Sequence, residues 1–218
     1  KARNVFVNNN NLFTNQRITQ NFNNVLPFST IRYKFSDNKV LDVKYTTSSQ
    51  NPTISQLQPV RDNSNPNFIN IGNPNLLPTF MHSINLNFNS WKSISGKYTW
   101  MGLTYNYTNN DIATATTYDS IGRTVSQAIN VNGNFNFNGY IGTSLPFFSK
   151  KLEVGPNLWA SYSENKSFIN GLANNTQDLR SNLALDVRLN LDDFSAGISG
   201  YYSYNSAYSS LNNSSNTP

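Results

Sequence analysis

Between Asn182 and Asp192 the chain alternates with a period of two. Leu183, Leu185, Val187, Leu189 and Leu191 are interleaved with Ala184, Asp186, Arg188 and Asn190. Successive side chains of a strand point to opposite faces, so this segment predicts a strand with one aliphatic and one largely polar face. Ten residues at about 3.3 Å each, tilted near 45°, cross roughly 23 Å, close to the apolar band of an outer membrane.

The same pattern recurs along the chain. Ile31, Tyr33 and Phe35 alternate with Thr30, Arg32 and Lys34. Beyond the turn at Ser36-Asp37-Asn38, Leu41, Val43 and Tyr45 alternate with Asp42, Lys44 and Thr46. Phe80, Ile84, Leu86 and Phe88 alternate with Ser83, Asn85, Asn87 and Asn89, and His82 falls on the apolar side. Met101, Leu103, Tyr105 and Tyr107 alternate with smaller or polar neighbours. Phe135, Phe137, Ile141, Thr143 and Leu145 oppose Asn134, Asn136, Asn138 and Ser144. Leu152, Val154, Leu158 and Ala160 oppose Glu153, Asn157 and Ser161, and Phe194, Ala196, Ile198 and Tyr202 close the series. The pattern predicts eight strands, with one or two more before Phe28.

The predicted connections alternate in length. Short ones fall at Ser36–Asn38, Trp91–Lys97, Pro146–Lys151 and Asp192–Asp193, and long polar ones at Thr47–Thr79, Asn109–Val131 and Glu164–Gln177. Transmembrane barrels are built this way, with short turns at the periplasmic rim and long loops outside the cell. Aromatics gather near strand ends: Trp91 and Phe147-Phe148 at short turns, Tyr105 and Tyr107 toward a long loop. That is the placement of an interfacial girdle. The expected fold class is all-β: a transmembrane antiparallel up-and-down β-barrel, present as about 8–10 strands of a larger barrel. Residues 1–218 read as a single region of that barrel, with both ends truncated.

Composition supports a two-faced wall. Only 12% of the residues are charged, where a soluble domain carries about 25%. The difference is made up by neutral polar residues, among them 39 asparagines, while 13% of the chain is aromatic. Disordered chains lack aromatics, so disorder does not explain the polarity. No apolar run approaches the roughly 20 residues of a transmembrane helix, so a membrane crossing must be made by strands. The net charge of +5 is scattered without a basic block, which argues against nucleic acid. The absence of cysteine removes disulfide frameworks and thiolate metal sites.

One stretch carries a resemblance. Asn51-Pro52-Thr53-Ile54-Ser55-Gln56-Leu57-Gln58-Pro59-Val60 leads to Asp62-Asn63-Ser64-Asn65-Pro66 and then to Ile71-Gly72-Asn73-Pro74-Asn75-Leu76. It resembles the long loop of TonB-dependent-receptor-like barrels of Bacteroidota, as do Ile31-Arg32-Tyr33-Lys34-Phe35-Ser36 and Val131-Asn132-Gly133. The resemblance spans most of residues 25–208. It implies the C-terminal portion of a barrel of about 22 strands with an N-terminal plug. Neither a plug nor a segment for engaging an energising partner is recognised here. A plug domain or further barrel strands are therefore expected partners, alongside outer-membrane lipid and other outer-membrane proteins.

No catalytic, cofactor or metal site is expected. His82 is the sole histidine, so a multi-histidine metal centre within the chain is impossible. It reads as part of the rim girdle, with a ligand contact as the alternative. Asp42, Glu153 and Asp186 have the chemistry for acid–base work, yet each lies on a polar strand face beside Lys44, Asn157 or Arg188. Arg32, Lys34, Asp42, Lys44, Asp186 and Arg188 are expected to face a lumen or plug, and Leu183, Leu185, Val187, Leu189 and Leu191 to face lipid. Asp62, Asn63 and Asn65 supply oxygen ligands of the kind Ca²⁺ takes, against a plain Asn-Pro turn. Asp119-Ser120-Ile121 resembles a short O-glycosylation signal at Ser120, against a plain hairpin turn ending at Gly122.

Three functions compete: a receptor or transporter barrel of the bacterial outer membrane, a membrane anchor or scaffold for surface or secretion components, and a soluble extracellular β adhesin. Detergent dependence separates the third from the others.

Overall fold

The computed structural model describes residues 2–11, 16–59 and 61–211. The chain opens with a hairpin of β1 (Ala2–Asn11) and β2 (Gln16–Val25), which forms a two-stranded sheet of its own. This answers the expectation of further strands before Phe28.

Eight antiparallel strands then form a meander wall: β3 (Phe28–Ser36), β4 (Lys39–Gln50), β7 (Thr79–Trp91), β8 (Tyr98–Asn109), β11 (Asn134–Phe147), β12 (Leu152–Ile169), β13 (Leu172–Asn190) and β14 (Ser195–Ser209). They are the eight that the alternation predicts. Each wall strand pairs with its predecessor in the wall, so the path is up-and-down throughout. The described wall is an open sheet. Its terminal strands β3 and β14 each pair with one neighbour, and their side chains are exposed nearly throughout.

The predicted short turns join the strands at one end. The predicted long connections are more structured than expected. The segment after β4 holds α1 (Ile54–Leu57) and a hairpin of β5 (Arg61–Asn65) and β6 (Phe68–Ile71). The segment between β8 and β11 is a hairpin of β9 (Asp111–Tyr118) and β10 (Thr124–Val131). The loop expected over Glu164–Gln177 is absent, because β12 and β13 run on through it in continuous register to a two-residue turn at Asn170-Gly171. Both turn residues have positive φ, 49° and 77°, the conformation that makes Asn-Gly a tight hairpin connection. At about 3.3 Å per residue, strands of 18 and 19 residues exceed what a tilted membrane crossing of roughly 9–11 residues needs, so this hairpin projects beyond it.

The buried apolar side chains lie outside the wall. Among the described residues these are Leu57, Ile69, Leu76 and Val131, all in the segments that join wall strands. The wall itself buries little, since each face of a single sheet awaits whatever covers it.

Candidate functional site

Register places every strand of the wall in one consistent pair of faces. On one face, Tyr33, Leu41, Phe88, Met101, Ile141, Leu158, Leu183 and Tyr202 form one row across all eight strands. The row above is Ile31, Val43, Leu86, Leu103, Gly139, Ala160, Ser181 and Tyr204. Leu183, Leu185, Val187 and Leu189 all belong to this face, and Leu185, Val187 and Leu189 stand opposite Pro156, Val154 and Leu152, whereas Leu191 lies beyond the end of β13 in the turn to β14. Toward the long-loop end the same face turns aromatic through Tyr45, Tyr105, Phe137 and Tyr162.

The opposite face is polar and internally bonded. Arg32 and Asp42 are cross-strand partners and form a bidentate pair at 2.6 and 3.0 Å. Lys34, Lys44, Asp186 and Arg188 share this face with them, so all six charged candidates fall on one side. Between them runs a ladder of neutral groups: Thr104 donates to Asn85 at 2.8 Å, Asn106 to Asn136 at 2.8 Å, and Asn182 to Ser203 at 2.8 Å. A sheet face can satisfy amides this way without charge, which accounts for the asparagine content. The candidate carboxylates are held in the same style. Ser144 donates to Glu153 at 2.7 Å, and Ser199 and Asn157 donate to Asp186 at 2.5 and 3.4 Å.

Sequence reasoning misplaced one aromatic. Trp91 pairs with Tyr98 in the rows of Asn89 and Trp100, so it lies on the polar face and not in the apolar girdle. Trp100 and Tyr140 also belong to the polar face, where each ring covers a glycine. A Cβ on Gly102 would come 2.3 Å from the Tyr140 ring, and one on Gly142 would come 2.4 Å from the Trp100 ring. Gly102 pairs with Tyr140 and Gly142 with Trp100, so two rings and two gaps interlock across β8 and β11. Parity along β7 and β8 was the signal that could have found this.

At the long-loop end the inter-strand segments fold together into a platform. β6 joins β10 in parallel, and β9 joins the projecting end of β12 in parallel at Phe168 and Ile169, giving the sheet order β12-β9-β10-β6-β5. The segment that carried the resemblance is its buckle. Thr53 caps α1 with a capping box closed by Gln56, and Asn73 N–H donates to the Gln56 carbonyl at 2.6 Å. Gly72 lies directly on the Gln58 carbonyl, where a Cβ would overlap it, so a glycine is required. Leu57 and Leu76 are buried in the fold so made, at 0% and 1% exposure. The side chains of Asn73 and Asn130 tie the buckle to β10 and to the Leu77 backbone at 2.8 to 3.0 Å. A pocket of about 450 Å³ opens between buckle and sheet, lined by Ser55, Gln56, Asn70, Thr114, Ser126 and Gln127. Its polar groups are neutral.

The remaining candidates resolve as follows. His82 lies on the apolar face at its aromatic end, stacked near Tyr45 and edge-on to Phe80. The Tyr45 hydroxyl is 2.7 Å from Nδ1 and the Asn109 amide nitrogen 3.2 Å from Nε2, an arrangement met by the tautomer protonated at Nδ1. Asn65 accepts from the Asn67 N–H at 3.0 Å, as an Asn-Pro turn does, whereas the side chains of Asp62 and Asn63 lie outside the described residues. Among the described residues no group of acidic or histidine side chains has the spacing of a metal site. Ser120 is exposed at the tip of the β9–β10 turn. Asp119 organises that turn by accepting from the N–H groups of Ile121 and Arg123 and from the Arg123 guanidinium at 2.6 Å. The Arg123 side chain holds the Asp119 carboxyl below its usual range, helped by the backbone N–H bonds.

No helix among the described residues is long and apolar enough to cross a membrane. An up-and-down wall with a continuous apolar face and an opposite polar one is the architecture of a strand-built membrane protein. The chain matches the outer membrane protein beta-barrel family over residues 1–217 and belongs to that family. Its place is the bacterial outer membrane, and the soluble β-domain alternative falls away. Among solved structures the chain is similar to the siderophore receptor PirA from Pseudomonas aeruginosa, at 13% identity and a TM-score of 0.49. The likeness covers 88% of this chain and 44% of that one. No curated protein matches the chain.

Proposed function

We propose that this chain forms wall and outer platform of a receptor- or transporter-like barrel, of the TonB-dependent-receptor-like kind found in Bacteroidota, and that it has no catalytic role. The platform carries the reading. A membrane anchor needs only enough loop to close its strands, whereas here the long segments build a packed core, a capped helix and a pocket on one side of the wall. Preorganised loops at the mouth of a barrel suit ligand or partner contact. In this reading the platform faces outward and the short turns face the periplasm. The apolar face meets lipid. Arg32, Lys34, Asp42, Lys44, Asp186 and Arg188 meet a wet lumen or a plug, since lipid exposure would cost each arginine or lysine about 2–4 kcal/mol at the midplane, and each aspartate a smaller penalty.

A growth experiment separates receptor from scaffold. A strain lacking the full-length gene is compared with one complemented by wild type or by Ser126→Trp with Gln127→Trp, which blocks the pocket. The receptor reading expects slower growth on at least one limiting nutrient, restored by wild type and not by the blocked variant. Unchanged growth on every nutrient, with loss of other proteins from the cell surface, would establish the scaffold instead.

A further inference from the structure

A cleft of about 710 Å³ opens on the polar face toward the long-loop end of the wall, across β11, β12, β13 and β14. Asn136, Asn138, Trp159, Ser161, Ser163 and Arg180 are among the residues that line it. Register makes the hollow. Ser161 and Ser163 of β12 stand level with Asn138 and Asn136 of β11, and Ala207 of β14 stands level with Asp178 of β13, so short side chains lie between longer ones. Trp159 bounds the cleft on the side of the short turns. Its register partners are Tyr140 and Asn182, and Asn182 is one residue from Leu183, where the aliphatic run of the opposite face begins. The cleft therefore sits where the wall leaves the apolar band and the β12–β13 hairpin projects.

Its charges cancel. Arg180 gives its Nε and Nη2 to the two Asp178 oxygens at 2.7 and 3.0 Å, so the one cation lining the cleft is matched by the one anion. Asn136 accepts from Asn106 at 2.8 Å through Oδ1, which leaves its own Nδ2 as a donor. Among the described residues, the side chains of Asn138, Ser161 and Ser163 have no hydrogen-bond partner, although each can both give and accept.

The rings beside it are placed against the usual rule. Aromatics of a membrane barrel gather at the lipid interfaces, yet Trp91, Trp100 and Trp159, the three tryptophans of the chain, all fall on the polar face. Trp159 is 40% exposed. From it a line of rings descends to the short-turn rim: Tyr140, then Trp100, then Tyr98 stacked on Trp100 at 5.2 Å, then Trp91, the partner of Tyr98.

We infer that the cleft binds a neutral oligosaccharide, one sugar ring resting on Trp159 and its hydroxyls bonded to the amides and serines. A sugar ring is apolar on its C–H faces and rimmed by hydroxyls that both give and accept. It needs an exposed aromatic plane beside groups of the same double capacity, and the cleft supplies both. A free anion finds the Arg180 guanidinium already paired, and an apolar ligand finds one ring among amides. The line of rings gives further units of the chain planes to rest on. The inference rests on the receptor reading, with the polar face lining the lumen.

The test is isothermal titration calorimetry of the folded full-length barrel, in a detergent without a sugar headgroup. The probes are maltohexaose, cellohexaose, mannohexaose and the acidic hexagalacturonate, and folded protein is selected by its unheated gel mobility. At least one neutral hexaose should bind. Trp159→Leu should weaken it about tenfold, and Trp159→Phe should recover part of the loss. Ser161→Cys, with any cysteine elsewhere replaced, should react with a water-soluble maleimide and be shielded by the bound hexaose. Binding of none of the neutral chains, or tighter binding of hexagalacturonate than of each of them, would overturn the inference. So would Ser161→Cys shielded before any saccharide is added, since a plug segment would then fill the cleft. Binding lost in Ser126→Trp with Gln127→Trp but kept in full by Trp159→Leu would place the sugar in the platform pocket. That result would overturn this inference while the receptor reading stood.

Discussion

Placing an arginine at successive depths of β13 tests the apolar face residue by residue. Val187 stands between Val154 of β12 and Ile198 of β14, and Leu191 sits at the β13–β14 turn, where its N–H bonds the Phe194 carbonyl at 2.7 Å. Four residues separate them, which on a strand tilted near 45° is about 9 Å of depth. With an apolar band of about 25 Å, Val187 near the midplane leaves Leu191 close to the interface. Val187→Arg should therefore cost about 2–4 kcal/mol, and Leu191→Arg about 0–1 kcal/mol. Arg188, register partner of Glu153 on the polar face, supplies the control. Arg188→Leu removes no ion pair found among the described residues and should stay within about 0.5 kcal/mol. The assay is reversible unfolding of the full-length barrel in lipid vesicles by guanidinium, followed by tryptophan emission. Equal losses at 187 and 191, or a larger loss at 188 than at 187, would refute the assignment of faces.

Two further perturbations probe the polar face and the platform. Gly102→Ala should destabilise by about 1–3 kcal/mol, because the new methyl meets the Tyr140 ring, and Tyr140→Leu in the same chain should recover most of that. Gly200→Ala, where nothing lies within 4 Å, should be close to neutral in the same unfolding assay. The Asp119 turn gives a pH signature. Its carboxyl is held below the usual value, so its contribution is fully present above the unfolded value of about 3.9 and is lost as pH falls through the lower folded one. Hydrogen exchange at Ile121 and Arg123 should be flat, after correction for intrinsic rates, down to about pH 4 and rise beneath it. A rise already between pH 7 and 5 would rule that out.

How much of this was legible depended on whether the two faces of a segment differ in chemistry. Leu183 to Leu191 read as a strand because apolar and polar residues alternate there, and the same held for all eight wall strands. From Ser163 to Ser167 of β12 and from Asn174 to Asp178 of β13 both faces are polar. Lys166, Asn174 and Thr176 give no alternation, so the projecting hairpin read as a loop although Asn170-Gly171 marked its turn. β5, β6, β9 and β10 are short, and two of their pairings are parallel and distant in sequence, which no local pattern reports. Leu57 and Leu76 looked like isolated apolar residues in a polar stretch, and their burial follows from the same distant pairings. Trp91 was placed by its nearness to a turn when its parity would have put it on the polar face. The charged candidates were legible as a set, because alternation alone assigns Arg32, Asp42 and Arg188 to one side.

Site-directed labelling on intact cells tests the central claim most directly. The 218 residues contain no cysteine, so a single cysteine introduced here into the full-length protein, with any cysteine elsewhere replaced, reports its own position. Ile121→Cys sits at the tip of the platform hairpin and Asp193→Cys in a short turn. With a membrane-impermeant maleimide, the account predicts that residue 121 labels on intact cells and residue 193 only after the outer membrane is permeabilised. Labelling at 193 but not 121 on intact cells would contradict the orientation, and labelling at both would contradict a wall that crosses the membrane between them.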